Sequence, residues 1–398
     1  MASASDELDG EYQVRQWTGL GLAAKGALAL AGTFISVGLF SIAAALPPLG
    51  ADFANSANAT LLIQLIGSIA APVFALASPG AGRLVAKFGV RTVYIWSAGL
   101  FALAGIAPAV SHSLIAILAY RMVVGLAVAG GFTAGMVGIA CLPERERHVL
   151  YGLAAFIGGG VSIIAYPAVG SLAETNWRMA FLIHLVLLPA ILLALFLPPN
   201  GGITPPCTGA KSQFGLAGIP PKLLMATAIL GWAMISSSIY LPFYLAAKGV
   251  TDPGKVGFIL SLLAVGSLVG SGSYKLVHNL TSTRGTTLLG MLLVAVGCAM
   301  LAVPGALPIV TVGLGFMGAG LGMFGTAVYP LAIESLRKGG DPGAATGMVS
   351  LALYLPQVLF PIVAGAVEAR FGAPVVYALL ALLIALAIAT LKLGTGRS

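Results

Sequence analysis

Apolar residues occur in long runs along this chain, separated by short polar intervals. A run of about 20 residues is long enough to cross the ~30 Å hydrocarbon core of a bilayer as a helix. Twelve runs of this kind predict transmembrane helices over 23–47, 58–80, 92–110, 113–140, 149–172, 178–197, 222–247, 254–277, 285–304, 307–333, 345–368 and 373–392. The pattern predicts an all-α integral membrane protein.

The longest polar interval, 198–221, divides these helices into two sets of six. It contains Pro198, Pro199, Pro205 and Pro206, which cannot continue a helix. We therefore predict a tail over 1–22, a six-helix bundle over 23–197, a linker over 198–221, a second bundle over 222–392 and a tail over 393–398.

The two halves also share a sequence repeat. Tyr166-Pro167 opens a segment that ends at Glu174, and Phe360-Pro361 opens one that ends at Glu368, with Pro, Val and Glu recurring at an offset of 194 positions. Repeated halves are common in secondary transporters, where the substrate site lies between them near the membrane midplane. We therefore predict two pseudo-symmetric bundles around a shared site.

Composition and charge agree with a membrane protein. The chain is 59% hydrophobic and 8% charged, whereas soluble domains carry roughly 25% charged residues. If the N-terminus is inside, 15 of the 20 Lys and Arg residues lie on the inner face and four lie outside, with Arg121 within a span. Positive charge marks the cytoplasmic side, so both termini are expected in the cytoplasm. The net charge of +8 is then explained by topology, and no nucleic-acid partner is expected.

Targeting signals and cysteines add little. The acidic N-terminus, with Asp6 and Glu7, is unlike the basic start of a secretory signal. Cys141, Cys207 and Cys298 form no pattern typical of a disulfide framework or a metal site. We expect a multi-pass protein of the cell (inner) membrane without a cofactor.

Three stretches resemble signatures of the major facilitator superfamily, in its twelve-span, drug-exporter-like branch. Residues 82–91 (GRLVAKFGVR) resemble the family's cytoplasmic motif G-x-L-a-D-R-x-G-R-R, residues 121–127 (RMVVGLA) resemble R-x-x-x-G-x-g, and residues 177–181 (WRMAF) resemble W-R-x-x-F. The resemblance implies two bundles that rock by alternating access, and a monomer. In two places the chain departs from the family: Ala86 stands where the motif has its carboxylate, and the antiporter signature of the fifth span keeps Pro167 and one glycine.

Arg121 is the one charge predicted well inside a span. A buried guanidinium costs at least ~2.5–3.5 kcal/mol unless it faces water, a partner or a ligand. It therefore either binds an anionic or strongly polar substrate group or is satisfied by carbonyls of neighbouring helices. No Asp or Glu falls in the middle of a predicted span, which favours a neutral or anionic substrate over a cation.

Further polar and aromatic residues within the spans are candidates for the site. His184 is the candidate for proton coupling, because imidazole exchanges a proton near neutral pH; the alternative is a histidine hydrogen-bonded to a neighbour. An apolar cavity needs a few convergent polar groups, and the candidates for substrate binding besides Arg121 are Gln64, Trp232, Tyr240, Tyr354 and Gln357. Their alternative role is hydrogen bonding between helices or anchoring at the membrane interface.

Charged residues at the inner ends of spans are candidates for gating. We predict contacts between the halves, formed when the inner side closes, from Arg83, Lys87, Arg91, Glu144 and Glu334. Glu334 or Glu144 would replace the carboxylate missing at Ala86; the alternative is that these charges only set the topology. Pro167 and Pro361 are predicted to kink their helices.

The sequence thus predicts a secondary active transporter, and not an enzyme, for a small organic anion or neutral amphiphile, working by alternating access. We expect proton-coupled export of the antiporter or efflux kind. The alternatives are an uncoupled facilitator, an importer, and a receptor or scaffold on the same fold. No GxxxxGK[ST] sequence is present, so ATP hydrolysis by this chain is not expected.

Overall fold

Helices make up the described part of the chain, which in this computed structural model comprises residue 17 and residues 19–56, 58–199, 219–303, 307–336 and 342–393. Eleven helices, or twelve counting one bent pair, are long and apolar enough to cross a membrane. In chain order they are α1 Leu22–Asp52, α2 Ala59–Phe88, α3 Val90–Val110, α4 Leu114–Ala140, α5 Glu144–Thr175, α6 Trp177–Ala194, α7 Pro221–Ala247, α8 Pro253–Gly272, α9 Thr283–Ala302, α10 Leu307–Glu334, α11 Ala345–Val358 plus Phe360–Phe371, and α12 Ala373–Lys392.

This arrangement confirms the predicted all-α fold with six helices on either side of the central interval. No strand occurs in the described ranges. The predicted tails (1–22 and 393–398) and linker (198–221) fall mostly on residues 1–16, 18, 200–218 and 394–398, which lie outside the described part, so their boundaries remain predictions.

The outer surface is apolar, as a lipid-facing surface must be. Trp96, Ile115 and Ile164 each expose more than 70% of their surface, which is unfavourable in water and favourable against lipid tails. Many serine and threonine hydroxyls bond within their own helix, as Thr227 does to the carbonyl of Leu223 at 2.8 Å. Internal pairing of this kind is required because lipid offers no hydrogen-bond partner.

Several helices depart from regular α geometry, among them α6, which begins with the 3-10 segment Trp177–Leu187. A π-helical segment interrupts α1 at Ser36–Phe40 and α7 at Ser236–Tyr240, so the first helix of each half carries the same irregularity. Helix α11 bends by 43° between its two parts, where Leu355–Val358 is a 3-10 turn and Pro361 follows. By contrast, α5 continues without interruption across Pro167.

Helices α8 and α10 approach closely because small residues line their contact. A Cβ added at Gly270 would overlap the carbonyl oxygen of Ala319, and one at Gly318 would overlap that of Leu263. Without side chains there, the two backbones come into direct contact, which is how small residues favour helix association in membranes.

The two halves contact each other along several helices. Helix α5 packs on α8, where Cβ atoms added at Gly170 or Gly257 would overlap backbone carbonyls of the other helix. Helix α2 packs on α11, and the outer part of α1, Leu46–Asp52, contacts the outer part of α7, Leu241–Ala247. The ends of α1, α5, α7 and α8 that are predicted to be extracellular therefore meet in this conformation.

Candidate functional site

Arg121 lies in the interior of the N-terminal half, 1% exposed. Its Nε donates to the carbonyl of Ile66 on α2 at 3.1 Å, and its Nη2 donates to that of Leu39 on α1 at 3.3 Å. Its Nη1 lies 3.4 Å from Nε2 of His184 on α6. Three of the five N–H groups of the guanidinium thus have acceptors, all of them neutral, and no carboxylate among the described residues forms an ion pair with Arg121.

His184 is fully buried beside Arg121. Its Nδ1 lies 2.9 Å from the carbonyl oxygen of Phe181, and because a carbonyl only accepts, Nδ1 carries the hydrogen. Nε2 is then free to accept from the guanidinium. The contacts therefore hold the imidazole neutral in this conformation. Gly105 makes room for the ring, since a Cβ there would overlap the His184 side chain.

The π-helical segments supply backbone acceptors to each half. A π-helical turn disturbs the regular hydrogen bonding of an α-helix and frees carbonyl groups that then need partners. In α1 the carbonyl of Leu39 accepts from Arg121. In α7 the carbonyl of Ser236 accepts from the hydroxyl of Tyr377 on α12 at 3.1 Å. The same irregularity is thus stabilised by a cation in one half and by a neutral group in the other.

Polar and aromatic side chains converge around the bend of α11 in the C-terminal half. Nε1 of Trp232 on α7 donates to the carbonyl of Pro356 at 2.8 Å. Nε2 of Gln357 donates to the carbonyl of Leu353 at 3.2 Å, while its Oε1 is buried without a hydrogen bond. The hydroxyl of Tyr240 is also buried without a hydrogen bond of ordinary geometry, with the carboxylate of Glu368 in its neighbourhood. Two buried oxygen atoms here can thus bind a further polar group.

These two groups of residues lie close to a common interface. Gly67, which follows the Arg121 acceptor Ile66, packs against Ile239 of the α7 π segment so closely that a Cβ at Gly67 would meet its side chain. Two helical turns further on, Phe74 packs edge-to-face on Tyr354 of α11, with ring centroids 5.3 Å apart. Gln64 is buried on the same helix, α2. Helix α2, whose Ile66 accepts from Arg121, therefore contacts the two helices that carry Tyr240 and Tyr354.

The basic residues predicted to gate the inner side are near one another at the α2–α3 junction. Arg83 and Lys87 are exposed, and the Lys87 ammonium lies 5.1 Å from the ring of Phe88. Arg91 lines a shallow cavity of about 190 Å³ together with Trp96. All three residues belong to the N-terminal half, and so do Phe88 and Trp96.

The acidic gating candidates are likewise bound within their own halves. Oε1 of Glu144 lies 3.9 Å from Nε2 of His148, one turn away on the same helix. Oε1 of Glu334 accepts from the hydroxyl of Thr283 on α9 at 2.7 Å. Among the described residues every ion pair joins groups of one half, so a pairing of Arg83 with Glu334 remains a prediction for another conformation.

Sequence reasoning named candidate side chains for a site but not their backbone partners. The carbonyl of Leu39, and Tyr377 as the partner of Ser236, follow from the π segments, which have no sequence signature of their own. Ile66 lies in the α-helical first part of α2, and its carbonyl as a partner of Arg121 has no sequence signal either. The one local signal of irregularity is proline: Pro242 lies two positions after the α7 segment, and Pro47 and Pro48 follow the 3-10 segment Ser41–Ala45 that succeeds the α1 segment. The described residues contain no group of His, Cys, Asp or Glu arranged to hold a metal ion.

Comparisons with known sequences point in one direction. The sequence profile of the Major Facilitator Superfamily matches residues 28–339. Monocarboxylate transporter 11 of Homo sapiens is 27% identical over 367 residues, which cover 85% of this chain and 75% of that protein. The protein MdtD of Escherichia coli, whose name refers to multidrug resistance, is 30% identical over 245 residues, which cover 60% of this chain and 49% of that protein.

Solved structures agree at the level of the fold. A D-xylose–proton symporter superimposes with a TM-score of 0.76 at 16% sequence identity, covering 93% of this chain and 96% of that one. An inward-open structure of the xylose transporter of Escherichia coli superimposes with a TM-score of 0.75 at 14% identity, covering 94% and 96%.

Proposed function

Because this chain belongs to the Major Facilitator Superfamily, we propose that it transports a small organic anion between the two halves by alternating access. The observation that carries the proposal is the buried charge of Arg121, whose contacts are two carbonyls and an imidazole. A buried cation without a counter-ion is costly. An anionic substrate would supply that counter-ion and accept from the remaining N–H groups.

The choice of an anion is supported by the other buried polar groups. Among the described residues, the buried polar side chains include Arg121 and His184 but no Asp or Glu. A cationic substrate would therefore lack a fully buried counter-ion. The similarity to a monocarboxylate transporter supports a monocarboxylate as the substrate class, with its apolar part against the α2–α11 aromatic contact and its carboxylate towards Arg121.

Proton coupling is proposed to involve His184. An imidazolium next to the guanidinium would be repelled by it, and two like charges about 4 Å apart cost about 4 kcal/mol at an effective dielectric constant of 20. A bound carboxylate would offset that repulsion, so anion and proton would bind cooperatively. This geometry supports a proton that moves together with the anion rather than in exchange for it.

Export is the proposed direction, supported by the similarity to a protein named for multidrug resistance. With a co-transported proton, net export occurs when the acid is more concentrated inside. An uncoupled facilitator is the second candidate. It is favoured by the neutral tautomer in which the contacts of His184 hold its ring, because such a histidine need not titrate during transport.

Transport in proteoliposomes tests these proposals. The purified protein would be supplied with labelled lactate or benzoate while a trapped dye reports internal pH. We compare wild type with Arg121→Gln, Arg121→Lys, His184→Gln and, as a control that removes an exposed cation in the first turn of α8, Lys255→Gln. Losing one charge-assisted hydrogen bond costs about 1.5–3 kcal/mol, so Arg121→Gln should weaken anion affinity at least about tenfold.

The variants test the anion site and the proton coupling separately. Arg121→Lys should bind weakly, because an ammonium cannot reproduce the fork that contacts two carbonyls. His184→Gln should keep anion exchange but lose the pH change that accompanies net flux. Transport without any pH change in wild type would establish the uncoupled facilitator. Unchanged anion affinity in Arg121→Gln would overturn the anion site and leave Arg121 as a structural residue.

A further inference from the structure

A second cavity lies in the C-terminal half, away from the proposed transport site. It has a volume of about 300 Å³ and is enclosed by the first turns of α7 and α9 and the last turns of α10 and α12. These four helix ends are all on the face predicted to be cytoplasmic. The volume reaches the lower end of the range for small-molecule sites.

Two cations and several hydroxyls line this cavity. Lys222 of α7 is exposed, and Arg284 of α9 is half-buried, with its Nη2 donating to the carbonyl of Leu391 on α12. None of the ion pairs between described residues includes Lys222 or Arg284. The nearby carboxylate of Glu334 is hydrogen-bonded to Thr283. Both positive charges are thus available to a ligand.

The remaining wall is apolar. Leucines from all four helices form it, Leu223, Leu288, Leu331 and Leu391, next to the hydroxyl residues Thr287, Ser335 and Thr390. The positive ends of α7 and α9 are offset by the negative ends of α10 and α12, so the side-chain cations decide the charge preference. A ligand for this wall has a compact anionic group and an apolar part.

The N-terminal half has a cavity at the start of α3, which corresponds to the start of α9, but its size and lining differ. Arg91 is the second residue of α3, as Arg284 is the second residue of α9, and it also lines a cavity. That cavity is smaller, about 190 Å³, and its wall contains Trp96 and Pro199 but no second cation. The second cation and the larger volume are therefore specific to the C-terminal half.

We propose that this cavity binds a phosphomonoester group attached to an apolar moiety. A dianionic phosphate matches two cations on adjacent helices and offers each a charge-assisted hydrogen bond. The ligand is either a soluble organic phosphate or the phosphomonoester headgroup of phosphatidic acid, because basic pockets on the cytoplasmic side attract anionic headgroups. The site is distinct from Arg121 and does not depend on the transport proposal.

Binding to the full-length protein tests this assignment. Phenyl phosphate would be titrated calorimetrically into wild type and four variants: Lys222→Gln, Arg284→Gln, Thr390→Phe and Lys275→Gln. Lys222 and Lys275 are both exposed lysines at the predicted inner face of this half, so Lys275→Gln is the matched control for charge. Thr390→Phe fills the cavity without changing charge, which covers the case in which Arg284→Gln unfolds by losing its bond to α12. We expect about tenfold weaker binding per cation removed, no binding to Thr390→Phe and wild-type binding to Lys275→Gln.

A second arm identifies the source of the phosphate. Native mass spectrometry would follow lipid adducts after reconstitution with phosphatidylcholine alone or with added phosphatidic acid. Phosphatidic acid adducts that disappear in Lys222→Gln assign a lipid, and phenyl phosphate binding without such adducts assigns a soluble ester. Phenyl phosphate binding that persists in Arg121→Gln separates this cavity from the transport site. If neither probe distinguishes Lys222→Gln and Thr390→Phe from Lys275→Gln, the proposal is overturned.

Discussion

At the scale of single residues, the outer end of the N-terminal half shows why a Trp-Arg pair opens α6. Nε1 of Trp177 donates to Oδ2 of Asp52 at the end of α1, at 3.0 Å. Arg178 lies over the Trp177 ring, 4.3 Å from its centroid, and its Nη1 donates to the carbonyl of Ser111 after α3. The pair therefore ties α1, α3 and α6 together by hydrogen bonds and stacking, and the ion pair of Arg178 with Asp52, at 3.8 Å, adds little.

Replacing Asp52 separates these contributions. Asp52→Asn keeps an oxygen for the buried Trp177 N–H and loses a partly exposed ion pair, which costs less than about 1 kcal/mol. Asp52→Ala leaves the indole N–H without a partner, which costs about 1–3 kcal/mol. Thermal unfolding in detergent should therefore show a clear loss for Asp52→Ala and a small one for Asp52→Asn. Equal losses would mean that charge, and not the hydrogen bond, holds this end.

At the scale of elements, α8 uses two sets of small residues for two neighbours. Gly254 and Gly257, near its N-terminal end, face α5 of the other half, and Gly266 and Gly270, near its C-terminal end, face α10 of its own half. Because lipid provides no hydrophobic drive for helix association, such contacts depend on close approach and van der Waals packing. The α8 helix is thus fixed to its own half at one end and meets the other half at its opposite end.

The α8–α10 contact should fail when a methyl group is inserted. In Gly270→Ala the new Cβ would overlap the carbonyl of Ala319, a backbone atom that cannot rotate away. Overpacking of this kind costs about 1–3 kcal/mol, and we expect a lower apparent unfolding temperature. Gly325→Ala is the matched control on α10, because nothing lies within 4 Å of its added Cβ. Ala is the better helix former, so a control as unstable as Gly270→Ala would show that the close α8–α10 contact does not set the cost.

At the scale of the whole molecule, features set by hydrophobicity and charge could be predicted from the sequence, and features set by contacts between helix backbones could not. Twelve helices and their division into halves follow from apolar length, and Arg121 stands out because charge is costly in lipid. Other features depend on the packing of one helix backbone against another, which the local sequence does not encode. These are the bend of α11, the π segments of α1 and α7, and the carbonyls of Leu39 and Ile66 as acceptors. Pro167 and Pro361 are both predicted to kink their helices. The chain bends just before Pro361, in a helix that also contains Pro356, whereas α5 is continuous at Pro167.

The relation between the halves gives the last prediction. A Cβ at Gly257 would overlap the carbonyl of Tyr166, so Gly257→Val should force α8 away from α5 at the outer end. Alternating access requires that this contact close and open, and transport should fall as the closed state is lost. Spin labels at Val110 and Val303, exposed at the outer ends of α3 and α9, should report a longer separation. Gly272→Val, with nothing within 4 Å of its added Cβ, should leave the separation unchanged. Identical distance distributions in the two variants, with both proteins folded, would mean that the α5–α8 contact does not hold the outer side closed.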